Sequence, residues 1–237
     1  MHLKIGLLVP VVALFAQAGV AAEAPSHHAD AAADDAQQEV RCVPAAERAG
    51  RKLGCFVTAT ETLGKIASSQ VYWHIYNYPT RAAAEKAKGK SGSVVESYGK
   101  VWLFAVADAD WKASGGKRVA RVGPLPVNDG GNYTAEYMEA TFMPGMKSRV
   151  HRHPGPEAWY VLEGEQCLET PGRSQPVRAG ESGIVPEGPP MMLMGTGKSM
   201  RRSLALILHD SSKPMTLPAP DWQPEGLCNT RVSNAAQ

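Results

Sequence analysis

A mainly β chain is the expectation from three features of the 237-residue sequence. From Arg118 to Pro218, short apolar runs are punctuated by Gly and Pro with no helical stretch, the texture of an all-β sandwich or barrel. Before it, from Cys42 to Lys117, strand-like segments flank a single run of helix formers, a smaller α+β region. The composition, 43% hydrophobic and 20% charged, is that of a globular chain with a real core rather than a disordered one. Its 23 glycines and 18 prolines follow no strict period, which excludes a collagen-like fibre. Lys and Arg number 25 against 23 Asp and Glu, so no basic field exists to hold a nucleic-acid backbone, and nucleic acid is not an expected partner.

Taken in order, Met1 to Ala22 reads as a secretory signal. Lys4 gives the positive start, Ile5 to Val20 carries no charge, and Val20-Ala21-Ala22 supplies small residues for cleavage. The apolar run is broken by Pro10 and is short for a membrane span, and no other segment qualifies, so no stable membrane insertion is expected once the signal is removed. Residues 23–40 are small, polar and acidic and read as a leader, whose His27, His28 and Asp30 read as solvated rather than as a metal site. An exported chain, periplasmic or secreted, meets an oxidising compartment. The four cysteines, Cys42, Cys55, Cys167 and Cys228, then allow three disulfide pairings. Cys42 with Cys55 and Cys167 with Cys228 is the favoured set, the second tying the chain end to the body.

Within residues 41–117, Gly54–Thr60, Val71–Tyr78, Ser93–Tyr98 and Lys100–Ala107 have strand composition. Arg81–Lys88 has that of a helix ending at Gly89. This region shows no chemical motif, and His74 has no partner at metal-ligand spacing. Residues 118–220 hold the chemistry, and 221–237 form a tail.

The stretch from Gly145 to Gly164 contains His151-Arg-His153-Pro-Gly-Pro-Glu157. On a strand the side-chain period is two, so His151 and His153 share a face. Pro154-Gly155-Pro156 forces a bend, and the returning strand, Glu157 to Leu162, places Glu157 at its first inward position. Two imidazoles and a carboxylate converge from adjacent strands, a donor set able to hold a divalent first-row metal with positions left open. By composition, the five-residue spacing arises by chance about once in ten thousand such chains.

On these residues the chain resembles the cupin family. Its first motif, G-x5-H-x-H-x3-E-x6-G, is matched by Gly145, His151, His153, Glu157 and Gly164. The first half of the second is matched by Gly180, Pro186 and Gly188. The resemblance covers residues 118–220 and implies an antiparallel jelly-roll barrel with a metal in its mouth. It departs from the family at Met191, where the fourth ligand is usually His, and at Gly195, where Asn is usual. Three readings of the site follow. A three-ligand site of His151, His153 and Glu157 leaves Met191 as an apolar wall. Alternatively Met191, with Met192 and Met194 nearby, ligates copper, because a thioether is soft. In the third reading the barrel has no metal and binds a small molecule or a partner. Fe, Mn, Zn and Cu are not distinguished, copper being favoured only with Met191 as ligand. Met191–Met194 also suit plain core filling.

Around the mouth, Arg149 shares the face of the histidines if the strand is regular and would anchor a substrate carboxylate. Trp159, on the face of Glu157, would line an apolar pocket, with Tyr160 pointing the other way. Glu163, Glu165 and Glu169 read as a solvated edge, and His209 as lying outside the metal's ligands. No nucleophile elbow or phosphate-cradling loop is present in the sequence, so no catalytic residue is identifiable beyond the metal set. The resemblance implies a metal-dependent enzyme of oxygenase or isomerase type on a small organic ligand, or a non-catalytic binding or sensing protein. It also allows a homodimer.

Overall fold

The computed structural model describes residue 2, residues 39–89 and residues 91–229. The expected signal segment and the His27-His28-Asp30 group lie outside these, as do most of the leader and the last residues of the tail. In chain order the first strands are β1 (Glu39–Val40), β2 (Cys42–Pro44), β3 (Gly54–Lys65), β4 (Gln70–Tyr78), β5 (Ser93–Ser97), β6 (Lys100–Ala107) and β7 (Lys117–Pro126). A short helix, α1 (Arg81–Ala87), separates β4 from β5. There follow β8 (Asn132–Phe142), β9 (Lys147–Ser148), β10 (His151–Arg152), β11 (Glu157–Glu163) and β12 (Glu165–Thr170). The last are β13 (Arg173–Arg178), β14 (Ser182–Val185), β15 (Met192–Thr196), β16 (Arg201–Asp210) and β17 (Leu217–Pro218).

The chain is mainly β, with a jelly-roll-like pair of sheets preceded by an α+β portion. One six-stranded sheet runs β14-β11-β16-β8-β3-β2 and one five-stranded sheet runs β1-β9-β15-β12-β13, with β10 and β17 paired beside them. These sheets share a core that includes Met138, Phe142 and Trp159 from the first and Leu168 and Val177 from the second. A four-stranded sheet, β5-β6-β4-β7, covers the other face of the six-stranded sheet. That interface buries Trp73, Ile75 and Phe104 against Tyr137, Leu204 and Leu206. Alternation explains the division: along β8, residues 133, 135 and 137 face one core and 138, 140 and 142 the other.

The helix begins where Thr80 caps it, the hydroxyl accepting from Ala83 N at 3.2 Å. It packs through Ala84 on Tyr76, Tyr78 and Leu103. The strand expected over residues 54–60 continues to Lys65, because it pairs along most of its length with β8. Hydrogen bonding therefore crosses the sequence position 117/118 in both directions: β3 lies in the jelly-roll sheet and β7 pairs with β4. The four cysteines form Cys42–Cys55, between neighbours β2 and β3, and Cys167–Cys228, between β12 and the C-terminal segment.

Glu169 departs from the solvated edge expected of it: it is fully buried, and its carboxylate accepts from Gly226 N at 2.8 Å and Cys228 N at 3.2 Å. The cause is long-range, since the segment ending at Cys228 lies over the outer face of β12. His74 is buried as a structural histidine, its Nε2 2.9 Å from Asp108 O.

Candidate metal centre

The motif's bend is held by β16. Pro156 O accepts from Leu208 N at 2.9 Å and Pro154 O from Asp210 N at 2.8 Å. Gly155 between them has φ +152°, and a Cβ there would sit 2.0 Å from Leu208 O, so no other residue fits. Upstream, β10 lies antiparallel to β17, and His151 exchanges two backbone hydrogen bonds with Met191, at 3.1 and 2.8 Å. Downstream, Glu157 is flanked in register by Val185 of β14 and Ile207 of β16.

These restraints bring one ligand atom each of His151, His153 and Glu157 within 4.8 Å of one another. The imidazole Nε2 atoms are 3.0 Å apart, and His153 Nε2 is 3.4 Å from Glu157 Oε2. His151 Nδ1 lies 2.7 Å from Arg149 O and His153 Nδ1 lies 2.5 Å from Met215 O. A carbonyl only accepts, so each Nδ1 carries the proton and each Nε2 presents a lone pair. Glu157 Oε2 is buried and has no hydrogen-bond donor. In neutral rings of that tautomer three lone pairs converge, an arrangement that a cation relieves. Burial, with the neighbouring His153 second, depresses the His151 pKa against the opposing pull of Glu157, which disfavours a proton in that place. The residues therefore fit a divalent metal, and the carbonyls on Nδ1 are the outer partners that orient metal-bound histidines.

The three side chains line a cavity of about 460 Å³ between the two jelly-roll sheets. Trp159 forms part of its wall, buried, with Tyr160 turned to the opposite core as alternation requires. Met191 is another wall residue, 1% exposed. Met192 and Met194 are not near it. They face outward onto Cys167–Cys228 and Trp222, which removes them from the copper reading, because neighbours along a strand alternate in direction. Arg149 is exposed at the cavity mouth, 3.8 Å from Glu39. The strand is interrupted between β9 and β10, so strict alternation does not place its side chain. At Gly195 a Cβ would lie 2.7 Å from Met143 O, which accounts for the absence of the usual Asn. His209 is not in the cluster; its Nδ1 lies 3.0 Å from Asp210 O.

Three buried polar residues in the same cavity escaped the sequence reading: Gln166 of β12, and Arg201 and Ser203 of β16. The available signal was the phase of β16. Leu204, Leu206 and Leu208 occupy one face, so Arg201 and Ser203 must occupy the other.

Residues 138–193 match the family model described as Cupin domain, which supports cupin superfamily membership for that part of the chain. No curated protein matches it. Among solved structures it is similar to an oxalate oxidase, at 25% identity and a TM-score of 0.32, over 36% of this chain and 46% of that one. The match thus spans about half of that enzyme. A cupin-like protein from Thermotoga maritima is 14% identical, TM-score 0.35, over 48% of this chain and 92% of its own. A cupin-2 domain protein from Shewanella frigidimarina is 18% identical, TM-score 0.27, over 30% and 68%.

Proposed function

We propose that this is an exported, metal-dependent cupin enzyme of oxygenase or isomerase type, acting on a small organic molecule with a divalent first-row metal held by His151, His153 and Glu157. The observation that carries the reading is the convergence of two imidazole Nε2 atoms on a buried carboxylate oxygen that has no hydrogen-bond partner. A divalent ion in that place supplies Lewis acidity toward substrate oxygen atoms. The chain's own part is positional. The carbonyls of Arg149 and Met215 fix both imidazole rings, and Trp159 and Met191 give the reacting space an apolar wall. The two disulfides suit an oxidising compartment, which supports export with residues 1–22 removed.

The test is the metal content of mature protein purified without a histidine tag. Near-stoichiometric metal in the wild type, lost in a His151→Ala, His153→Ala double variant, is the expected result. Protein that takes up no metal under any loading condition would instead be a metal-free binding or sensing cupin. A Met191→His variant should bind Mn or Zn more tightly; unchanged affinity counts against Met191 facing the ion.

A further inference from the structure

The cavity contains a cation that the metal reading does not use. Arg201 is completely buried, and burial pulls its guanidinium pKa down to about 10. One nitrogen, Nη1, donates to Ser203 Oγ, and the plane stacks on Phe142, its cross-strand neighbour, 4.2 Å from the ring centroid. The other two, Nε and Nη2, have no acceptor. These two N–H groups lie along one edge of a guanidinium, the side-on fork whose spacing matches the two oxygens of a carboxylate. Gln166, from the facing sheet and also fully buried, has neither amide oxygen nor amide nitrogen paired.

Charge points the same way. Of the three arginines that line this cavity, Arg41 and Arg149 are exposed at its mouth, Arg149 against Glu39, so Arg201 is the buried cation, set against one lining carboxylate, Glu157. A buried cation with unpaired donors is costly unless an anion meets it. Met138, Phe142 and Trp159 make much of the remaining wall apolar.

We infer that the Nε–Nη2 edge of Arg201, in a cavity that the Gln166 amide also lines, is a docking site for the carboxylate of a small organic acid whose apolar body lies against Phe142 and Trp159. The inference rests on the proposed function for the reaction it serves, though not for the binding itself. It moves the anchoring role expected of Arg149 from the exposed rim to a buried side chain.

The experiment is calorimetric titration of the mature protein, metal-loaded and chelator-treated, with benzoate, acetate, neutral benzamide and inorganic sulfate, alongside metal analysis. Benzoate is expected to bind at least about tenfold more tightly than benzamide, because only the anion makes charge-assisted hydrogen bonds to the fork. Arg201→Met should weaken benzoate by at least about tenfold with metal content unchanged, while its unfolding midpoint without ligand stays level or rises. A merely structural arginine would instead lower that midpoint. If Arg201→Met does not fold, Arg201→Lys decides, since it keeps the charge and loses the side-on fork; weakened benzoate supports the site. Benzoate bound equally by wild type and by the deciding variant overturns the inference. So does wild type that binds neither carboxylate at millimolar concentration, benzamide that binds as well as benzoate, or sulfate that binds more tightly than both carboxylates. Benzoate binding that depends on Arg201 in protein that never takes up metal would sink the metal centre and leave this site standing.

Discussion

The two faces of the six-stranded sheet are made by the same strands, yet they meet different demands. Toward the four-stranded sheet, β8, β11 and β16 present Tyr137, Ala158, Leu204, Leu206 and Leu208, closed over by Trp73 and Phe104. Toward the five-stranded sheet they present Met138, Trp159 and Ile207 but also Glu157, Arg201 and Ser203 around a cavity. Ten buried side-chain nitrogen or oxygen atoms among the described residues lack a hydrogen-bond partner. Six of them, on Glu157, Trp159, Gln166 and Arg201, line that cavity. Alternation with a period of two lets one strand serve both tasks: even positions of β16 complete a packed interior while odd positions equip a site. Unmet polar groups concentrated on one face mark where stability has been given up for chemistry.

The largest expected loss of stability lies outside both faces, at the disulfide that holds the C-terminal segment over β12. Loop entropy predicts that Cys167→Ser with Cys228→Ser costs about 4 kcal/mol, against about 3 kcal/mol for the shorter Cys42–Cys55 loop. Urea titration of the two double variants measures both. On the sheet itself, Leu206→Ala should cost about 3 kcal/mol, since Leu206 is fully buried in the packed face. Its neighbour Ile207 borders the cavity, so Ile207→Ala should cost less, about 2 kcal/mol, because the site is already open on one side. Equal costs would break the distinction between the faces.

Much of this was readable in the sequence, and the unread part has a common cause. Local signals were sufficient for the strands at 71–78 and 100–107, for the helix from Arg81, and for the His-x-His, Pro-Gly-Pro, Glu sequence, because each depends on residues only a few positions apart. Arg201 was not readable alone. Arg201-Arg202 looks like the charged end of a strand, and only the phase set by Leu204 and the presence of Phe142 opposite turn the first arginine inward. Glu169 resembled a surface acid because its donors, Gly226 N and Cys228 N, come from almost sixty residues away in the chain. The membership of β3 in the jelly-roll sheet was hidden likewise, since its partner β8 begins beyond the boundary expected at residues 117/118.

Glu157→Gln separates chemistry from stability on the cavity face. The carboxylate oxygen it replaces has no donor, so the amide should leave unfolding free energy within about 1 kcal/mol of wild type. Metal affinity should fall at least about tenfold, because a carboxamide is a neutral and weaker donor toward a divalent ion. Parallel denaturation and metal-competition titrations check this. A variant that loses stability but keeps its metal would make Glu157 a packing residue.

The smallest effect is expected at the end of β16, where His209 lies beyond the cluster. Glu136, with its Oε1 3.9 Å from His209 Nε2, raises the His209 pKa, opposed by burial and aided by Asp210 O. A folded-state pKa above the unfolded value of about 6.5 means that the native protein binds this proton more tightly. Its contribution is therefore complete below about pH 6.5 and is lost as pH rises through the elevated native value. Glu136 also accepts from Thr60 Oγ1 at 2.6 Å, so the absolute cost of Glu136→Gln mixes two interactions. The pH dependence isolates one of them. The stability gap between wild type and Glu136→Gln should be wider at about pH 5.5 than at about pH 8.5, by less than about 1 kcal/mol, since the pair is a single partly buried contact. A gap that widened toward high pH would give His209 the opposite sign and place its proton on the unfolded chain.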